Sequence, residues 1–278
     1  MPEMRLHEEE IQKLKEIARQ CRIDIVRMTH KAGSGHPGGS LSAIDILTVL
    51  FLKKMRHDPK NLSLHGRDRF IMSKGHASPA YYSILSRAGY IPEERLISFR
   101  KFGSELQGHP ERSYLPFIDI SSGGLGQGLS VANGLAHGLR IQGIPARVYI
   151  LMGDGEIQEG QVWEAAMAAA HYRLDNLCAI LDRNMLQIGG NTEMIMALEP
   201  LADKWKAFGW NVIVIDGHDI DSIMNALNEV ESVKGQPSII IAKTVKGKGV
   251  SFMENNVEFH GKAPDDEQLR KALEELGG

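Results

Sequence analysis

The hydrophobic pattern of this chain alternates between two periods. Ile11, Leu14, Ile17, Cys21, Ile25 and Met28 recur at helical spacing, which predicts an amphipathic opening helix over 7–28. Five short apolar runs have strand length and no polar alternation: Arg69-Phe70-Ile71-Met72, Val148-Tyr149-Ile150-Leu151-Met152, Leu177-Cys178-Ala179-Ile180-Leu181, 211–216 and 238–242. They read as strands buried on both faces. Helical periodicity fills the intervals at 42–52, 79–88, 126–141, 161–172, 201–208 and 220–233, the last with Asp219 as its cap. A charged helix over 265–276 is stopped by Gly277-Gly278. This alternation predicts an α/β fold, an open and mostly parallel sheet with helices on both faces, over a single domain spanning 1–278.

The fold predicts where chemistry sits, because ligands bind beyond the carboxyl ends of parallel strands. Gly153-Asp154-Gly155 closes one apolar run and Asp182-Arg183-Asn184 the next, with an alanine-rich helix between them. A βαβ crossover puts both strand ends on one sheet edge, so Asp154 and Asn184 are expected to meet. A carboxylate and a carboxamide beside a glycine turn suit Mg²⁺, which takes a few protein oxygens and completes its shell with phosphates. Gly155 permits close backbone approach to those phosphates. Gly-Asp-Gly is also an ordinary turn, so the pair alone leaves a structural reading open. His76 follows the strand ending at Met72 and falls on the same edge.

Composition narrows the class. Hydrophobic residues make up 42% and charged residues 24%, near globular averages, and the net charge of −3 argues for neither nucleic acid nor an anionic membrane. No apolar run reaches membrane-spanning length, and the N-terminus is too charged for a secretory signal. A cytoplasmic location is expected. Cys21 and Cys178 read as small apolar fillers and not as a disulfide framework.

Further motifs accompany the Gly-Asp-Gly…Asn spacing. They are Ser34-Gly35-His36-Pro37-Gly38-Gly39, Ser73-Lys74-Gly75-His76-Ala77, Gly108-His109-Pro110-Glu111 and Ser121-Ser122-Gly123-Gly124-Leu125-Gly126-Gln127-Gly128. Lys246-Gly247-Lys248-Gly249 with His260-Gly261 completes the set. In this order the motifs resemble those of the transketolase family, from about residue 10 to about residue 265. The chain most resembles the N-terminal part of a split transketolase, the diphosphate-binding domain of a thiamine diphosphate (ThDP) fold.

The resemblance implies roles position by position. Asp154, Asn184 and the carbonyl of Leu186 would hold a divalent metal, Mg²⁺ or a substitute such as Ca²⁺ or Mn²⁺. Gly155 and His76 would contact the diphosphate, with His260 nearby. Backbone groups of Gly123 and Leu125 would line the wall facing the aminopyrimidine ring. His36, His109 and His260 would face the substrate channel, and with His76 they are the catalytic candidates. Glu159 matches an acidic position near the family's dimer interface, although a solvated helix-start glutamate explains it equally. Gln187 receives no role. Gly124 stands where the family typically carries a proline, and Asn184-Met185-Leu186 departs from the commoner Asn-Gly-Ile, which leaves substrate preference open.

The implied activity is transfer of a two-carbon ketol unit from a ketose, such as a sugar phosphate, to an aldose in a pathway of the pentose phosphate type. The glutamate that activates the cofactor's aminopyrimidine ring belongs, in the family, to a second domain. A C-terminal partner subunit carrying that pyrimidine-binding domain is therefore expected, in a heterotetramer of two plus two chains. The helix at 126–141 and the segment 159–163 are candidate contacts, with Trp163 either interface or core. No motif-matched arginine is evident for a sugar phosphate. Alternatives are a deoxyxylulose-phosphate synthase-like or 2-oxoacid dehydrogenase α-type subunit, or a non-catalytic ThDP-binding scaffold. Of the remaining histidines, His137 and His171 read as packing or surface residues, His7, His57, His65 and His218 as surface, and His30 as ambiguous.

Overall fold

The computed structural model describes residues 6–278; the first five residues of the expected 1–278 domain lie outside the described residues. Five strands form one parallel sheet: β1 (Arg69–Met72), β2 (Val148–Gly153), β3 (Leu177–Arg183), β6 (Asn211–Asp216) and β7 (Ser238–Lys243), in the order β1-β2-β3-β7-β6. The missing polar alternation in these runs has a direct structural counterpart. Phe70, Tyr149, Leu151, Cys178, Ile180 and Ile240 point into one core, while Ile71, Ile150, Met152, Ala179, Leu181 and Ile241 point into another. A strand with helices on both sides has no wet face, so its inner positions are apolar; β6, at the sheet edge, departs from the expectation and is only partly buried, with Val214 exposed.

The first core lies under α1 (Glu8–Ala32), α2 (Pro37–Val49), α3 (Ser78–Arg87), α8 (Ile220–Ser232) and α9 (Asp266–Leu276). The second lies under α4 (Gln127–Ile141), α5 (Gly160–His171) and α7 (Leu201–Ala207). Between β3 and α7 the chain forms a small hairpin, β4 (Leu186–Gln187) with β5 (Gly190–Asn191), and one turn of helix, α6 (Thr192–Ile195). The hydrophobic pattern gave no sign of these, because elements this short carry no periodicity. Asp219 and Asp265 cap α8 and α9, and Gly277 ends α9 at φ 67°.

Helix α2 begins five residues before the expected 42–52 segment. Pro37 supplies the first helical turn, and Gly38-Gly39 lie inside the helix instead of in a loop. Their role is close approach: a Cβ on Gly38 would stand 2.8 Å from the Phe259 carbonyl oxygen. α2 is buried along its whole length, which explains its lack of a polar face.

Several expectations for isolated residues are corrected. His218 is not a surface residue: its Nδ1 meets Asp45 Oδ2 at 2.7 Å, and Nε2 accepts from the Val245 N–H at 2.8 Å. Asp45 is also paired with Arg22, so a polar triad joins α1, α2 and the β6–α8 turn. His57 is half-buried, bonded to the Tyr90 hydroxyl and the Phe51 carbonyl at 3.0 and 2.7 Å. Both lie in polar sequence, and apart from the Phe51 carbonyl their partners are distant in the chain, so sequence surroundings misreport their burial. His30 ties α1 to α9 through Asp266 at 2.8 Å. Trp163 stacks on Trp205 and Phe208 at 5.1 and 5.2 Å between ring centroids. Both cysteines are free and buried, and among the described residues no helix is long and apolar enough to cross a membrane.

Candidate active site

The carboxyl ends of β1, β2 and β3 open into a cavity of about 390 Å³. Each strand delivers a residue in the turn that follows it: His76 in the 3₁₀ turn Gly75–Ala77, Asp154 at the head of the turn Gly155–Gln158, and Asn184 one residue past β3. His36 caps α2, His260 ends the turn Val257–His260, and His109 arrives on the long connection between α3 and α4. All ten residues singled out from the sequence line this one cavity, including Gly123, Leu125, Gly155 and Leu186.

The four imidazoles form a cluster. Ring centroids of His36 lie 5.2 Å from His76, 6.2 Å from His109 and 5.5 Å from His260, and His76 lies 5.2 Å from His260. Burial is the main force on their protonation, and cations add to it. His36 is pushed down to about 4 by burial and then by Arg100, and His260 to about 3 by burial and Lys246. His76 is driven well below its usual range by burial and Lys74, and His109 is lowered by burial and Arg100. Near neutral pH all four are neutral rings, able to donate to one oxygen or accept from another.

On the opposite wall the oxygens converge. Asp154 Oδ1 accepts from Gly155 N–H at 2.8 Å, and Oδ2 from Met185 N–H at 2.6 Å and Arg183 at 3.3 Å. Asn184 Oδ1 accepts from Leu186 N–H at 3.1 Å, so residues 184–186 wrap around the carboxylate, with Met185 at φ 67°. Burial raises the pKa of Asp154, and nearby Asp182 raises it further. A cation bound here would favour the ionised form again.

Lys74, Lys246, Glu156 and Arg183 carry roles that sequence reasoning missed. Lys74 is buried against Asp182 and also donates to the Gly39 carbonyl at 2.9 Å. Removing either partner of such a pair strands a buried charge, at a cost of about 3–5 kcal/mol. Lys246, lowered to about 8 by burial and by Lys74, donates to the Leu186 carbonyl at 3.1 Å and to His260 Nδ1 at 3.0 Å. Glu156 accepts from Gly126 and Gly153 N–H groups at 3.0 Å each and from Ser73, which locks the glycine loop onto the Asp154 turn. Arg183 extends from Asp154 to Thr192, Glu193 and Glu199. The available signal was a charged residue at the end of a strand or within three residues of it. Charges read as solvated by default, and only the tertiary partners reverse that reading.

The donor set tests what the site can hold. Among the described residues no group of three or more His, Cys, Asp or Glu side chains is arranged for a metal. A metal would rely on Asp154, the Asn184 carboxamide and the Leu186 carbonyl, three hard oxygens suited to Mg²⁺ or Ca²⁺ and unsuited to soft metals. His36 Nδ1 and Gln187 Oε1, both lining the cavity, are buried without hydrogen-bond partners, as expected where a polar ligand completes the wall. Gln187 also explains Gly155 sterically, since a Cβ there would lie 3.0 Å from the Gln187 Cβ. The residues fit a hard cation carrying a diphosphate.

Comparison with known proteins gives a consistent family. Residues 12–278 match the family model described as transketolase, thiamine diphosphate binding domain. The chain is 43% identical over 255 residues to one of the subunits of the apulose-4-phosphate transketolase of Actinobacillus succinogenes, covering 92% of both. It is 44% identical over 246 residues to 6-deoxy-6-sulfo-D-fructose transketolase subunit SqwG of a Clostridium species, covering 88% of this chain and 90% of that one. Human transketolase is 40% identical over 273 residues, 97% of this chain but 43% of that protein. The crystal structure of transketolase from Campylobacter jejuni superposes with a TM-score of 0.91 at 38% identity, over 96% of this chain and 43% of that one.

Proposed function

The chain belongs to the family of transketolase thiamine diphosphate-binding domains, and from that premise we propose that it is the N-terminal subunit of a two-chain transketolase. It binds Mg-ThDP through the cavity at the β1–β2–β3 edge and transfers a two-carbon ketol unit together with a separate C-terminal subunit. The observation that carries this reading is the convergence of the four histidines with Asp154, Gly155, Asn184 and Leu186 on one cavity. Asp154, Asn184 and Leu186 would hold the metal; Gly155, His76 and Lys246 would face the diphosphate; Gly123 and Leu125 would form the wall toward the ring. When bound, ThDP supplies the electron sink for breaking a bond beside a ketose carbonyl. The protein's share is position and proton handling: neutral His36, His109 and His260 hold the sugar's oxygens and take or return their protons.

The relatives named as subunits support a second chain, here read as the one bearing the pyrimidine-binding domain in a two-plus-two heterotetramer. Their names specify apulose 4-phosphate and 6-deoxy-6-sulfo-D-fructose, which favours ketoses with an anionic far end as substrates here. The intact histidine set argues against a ThDP-binding scaffold, which would need only Asp154, Asn184 and Gly155.

The test is an assay of this chain with ThDP, Mg²⁺ and ketose–aldose pairs, with and without the C-terminal subunit. The pairs include xylulose 5-phosphate with ribose 5-phosphate, and the two named ketoses. Turnover is expected only in the mixture. Robust turnover by the pure chain refutes the half-site reading, ThDP binding by the mixture without turnover of any pair favours the scaffold, and failure of the mixture to bind ThDP refutes both.

A further inference from the structure

One positive charge near the histidines has no task in the cofactor reading. Arg100 sits on a left-handed backbone at φ 57°, its N–H donating to the Leu106 carbonyl at 2.9 Å. Its Nη1 donates to Ser34 Oγ at 2.8 Å, in the loop that delivers His36. The guanidinium lies on the backbone of Gly108, next to His109: a Cβ on Gly108 would fall 2.6 Å from Nη2 and 2.7 Å from Cζ. Gly108 is itself anchored to α3, since its carbonyl accepts from Ser78 Oγ at 2.8 Å. Among the described residues no carboxylate pairs with Arg100, and its buried Nε has no hydrogen-bond partner. A half-buried arginine without a counter-ion costs stability, which calls for a functional explanation.

We propose that Arg100 is a positioning residue for the channel histidines, clamping the Ser34–His36 loop to the Gly108–His109 loop and fixing both rings against the substrate's oxygens. No sequence motif points to it, because Ser34 and Gly108 reach it from opposite sides only in the fold. The clamp also acts through its charge. After burial, Arg100 is the largest influence lowering His36, which further faces His109, Lys246 and Lys74 together with the rings of His76 and His260. For His109, Arg100 is the charged group that acts. His76 and His260 answer instead to Lys74, Lys246 and their neighbouring rings. Relevance to sugar transfer rests on the function proposed above; the action on the two rings does not.

The experiment follows imidazole NMR signals of the full chain through a pH titration. In Arg100→Met the midpoints of His36 and His109 are expected to rise while His76 and His260 stay. Gly108→Ala keeps the arginine but evicts its guanidinium, and is expected to do the same. Arg100→Lys, retaining the charge, is expected to leave the midpoints low. In the two-chain assay Arg100→Met is expected to lower kcat/KM about tenfold, the size of one lost charge-assisted contact. Unmoved His36 and His109 midpoints overturn the proposal, as does an equal shift of all four rings. Selective shifts in a chain whose unmodified mixture turns over no sugar uphold the clamp and refute the transketolase reading.

Discussion

The ring of His260 illustrates how a single residue is set. Lys246 can only donate, so His260 Nδ1 accepts, and the neutral ring carries its proton on Nε2. Its pKa is pushed from 6.5 down to about 3, and that of His36 to about 4. In the unfolded chain both rings return to about 6.5. Between that value and the folded ones, the unfolded state binds protons that the folded state refuses. Stability is therefore complete above the unfolded pKa and is lost as pH falls through the window. His260→Asn removes one such proton, so its acid-unfolding midpoint, referred to its own stability at pH 8, should move to lower pH when followed by circular dichroism. An unchanged midpoint would mean that the ring is not held neutral.

At the scale of elements, glycine on α4 decides how closely helix and sheet approach. A Cβ on Gly128 would lie 2.1 Å from Ser73 Oγ, 2.6 Å from Ser73 Cβ and 3.1 Å from the Ile150 side chain. Gly134 and Gly138, on the same helix, meet nothing within 4 Å. The glycine content of α4 thus serves two faces, one pressed on the sheet and one open. Ser73 donates to Glu156, so a clash there is carried into the loop that holds Gly126 and Gly153. Overpacking of this kind costs about 1–3 kcal/mol, more than the helix propensity an alanine gains at the first turn. Gly128→Ala should lower the urea midpoint accordingly, and a stabilised variant would contradict the packing.

For the whole molecule, the parallel sheet is the device that assembles the site. Three consecutive strand ends bring His76, Asp154 and Asn184 to one edge, and loops from residue 36 to residue 260 close around them. Asp154→Ala in the assembled two-chain protein is expected to abolish Mg²⁺-dependent ThDP binding in calorimetry, with assembly checked by size-exclusion chromatography. Retained tight binding would refute the metal assignment.

The sequence by itself determined the fold class, because buried parallel strands must be apolar at every position and amphipathic helices must repeat at their own period. It also placed His76, Asp154 and Asn184 on one edge, because a crossover connection makes successive strands parallel, so their carboxyl ends lie together. Motif resemblance supplied His36, His109 and His260, which fold rules alone do not locate. The tertiary structure decided whatever depends on partners far apart in the chain. It buried Lys74 against Asp182, turned His57 and His218 inward, seated Trp163 on Trp205, and set Arg100 between two loops. A charge in a sequence is solvated until something distant pairs with it, and only the folded chain brings that partner near.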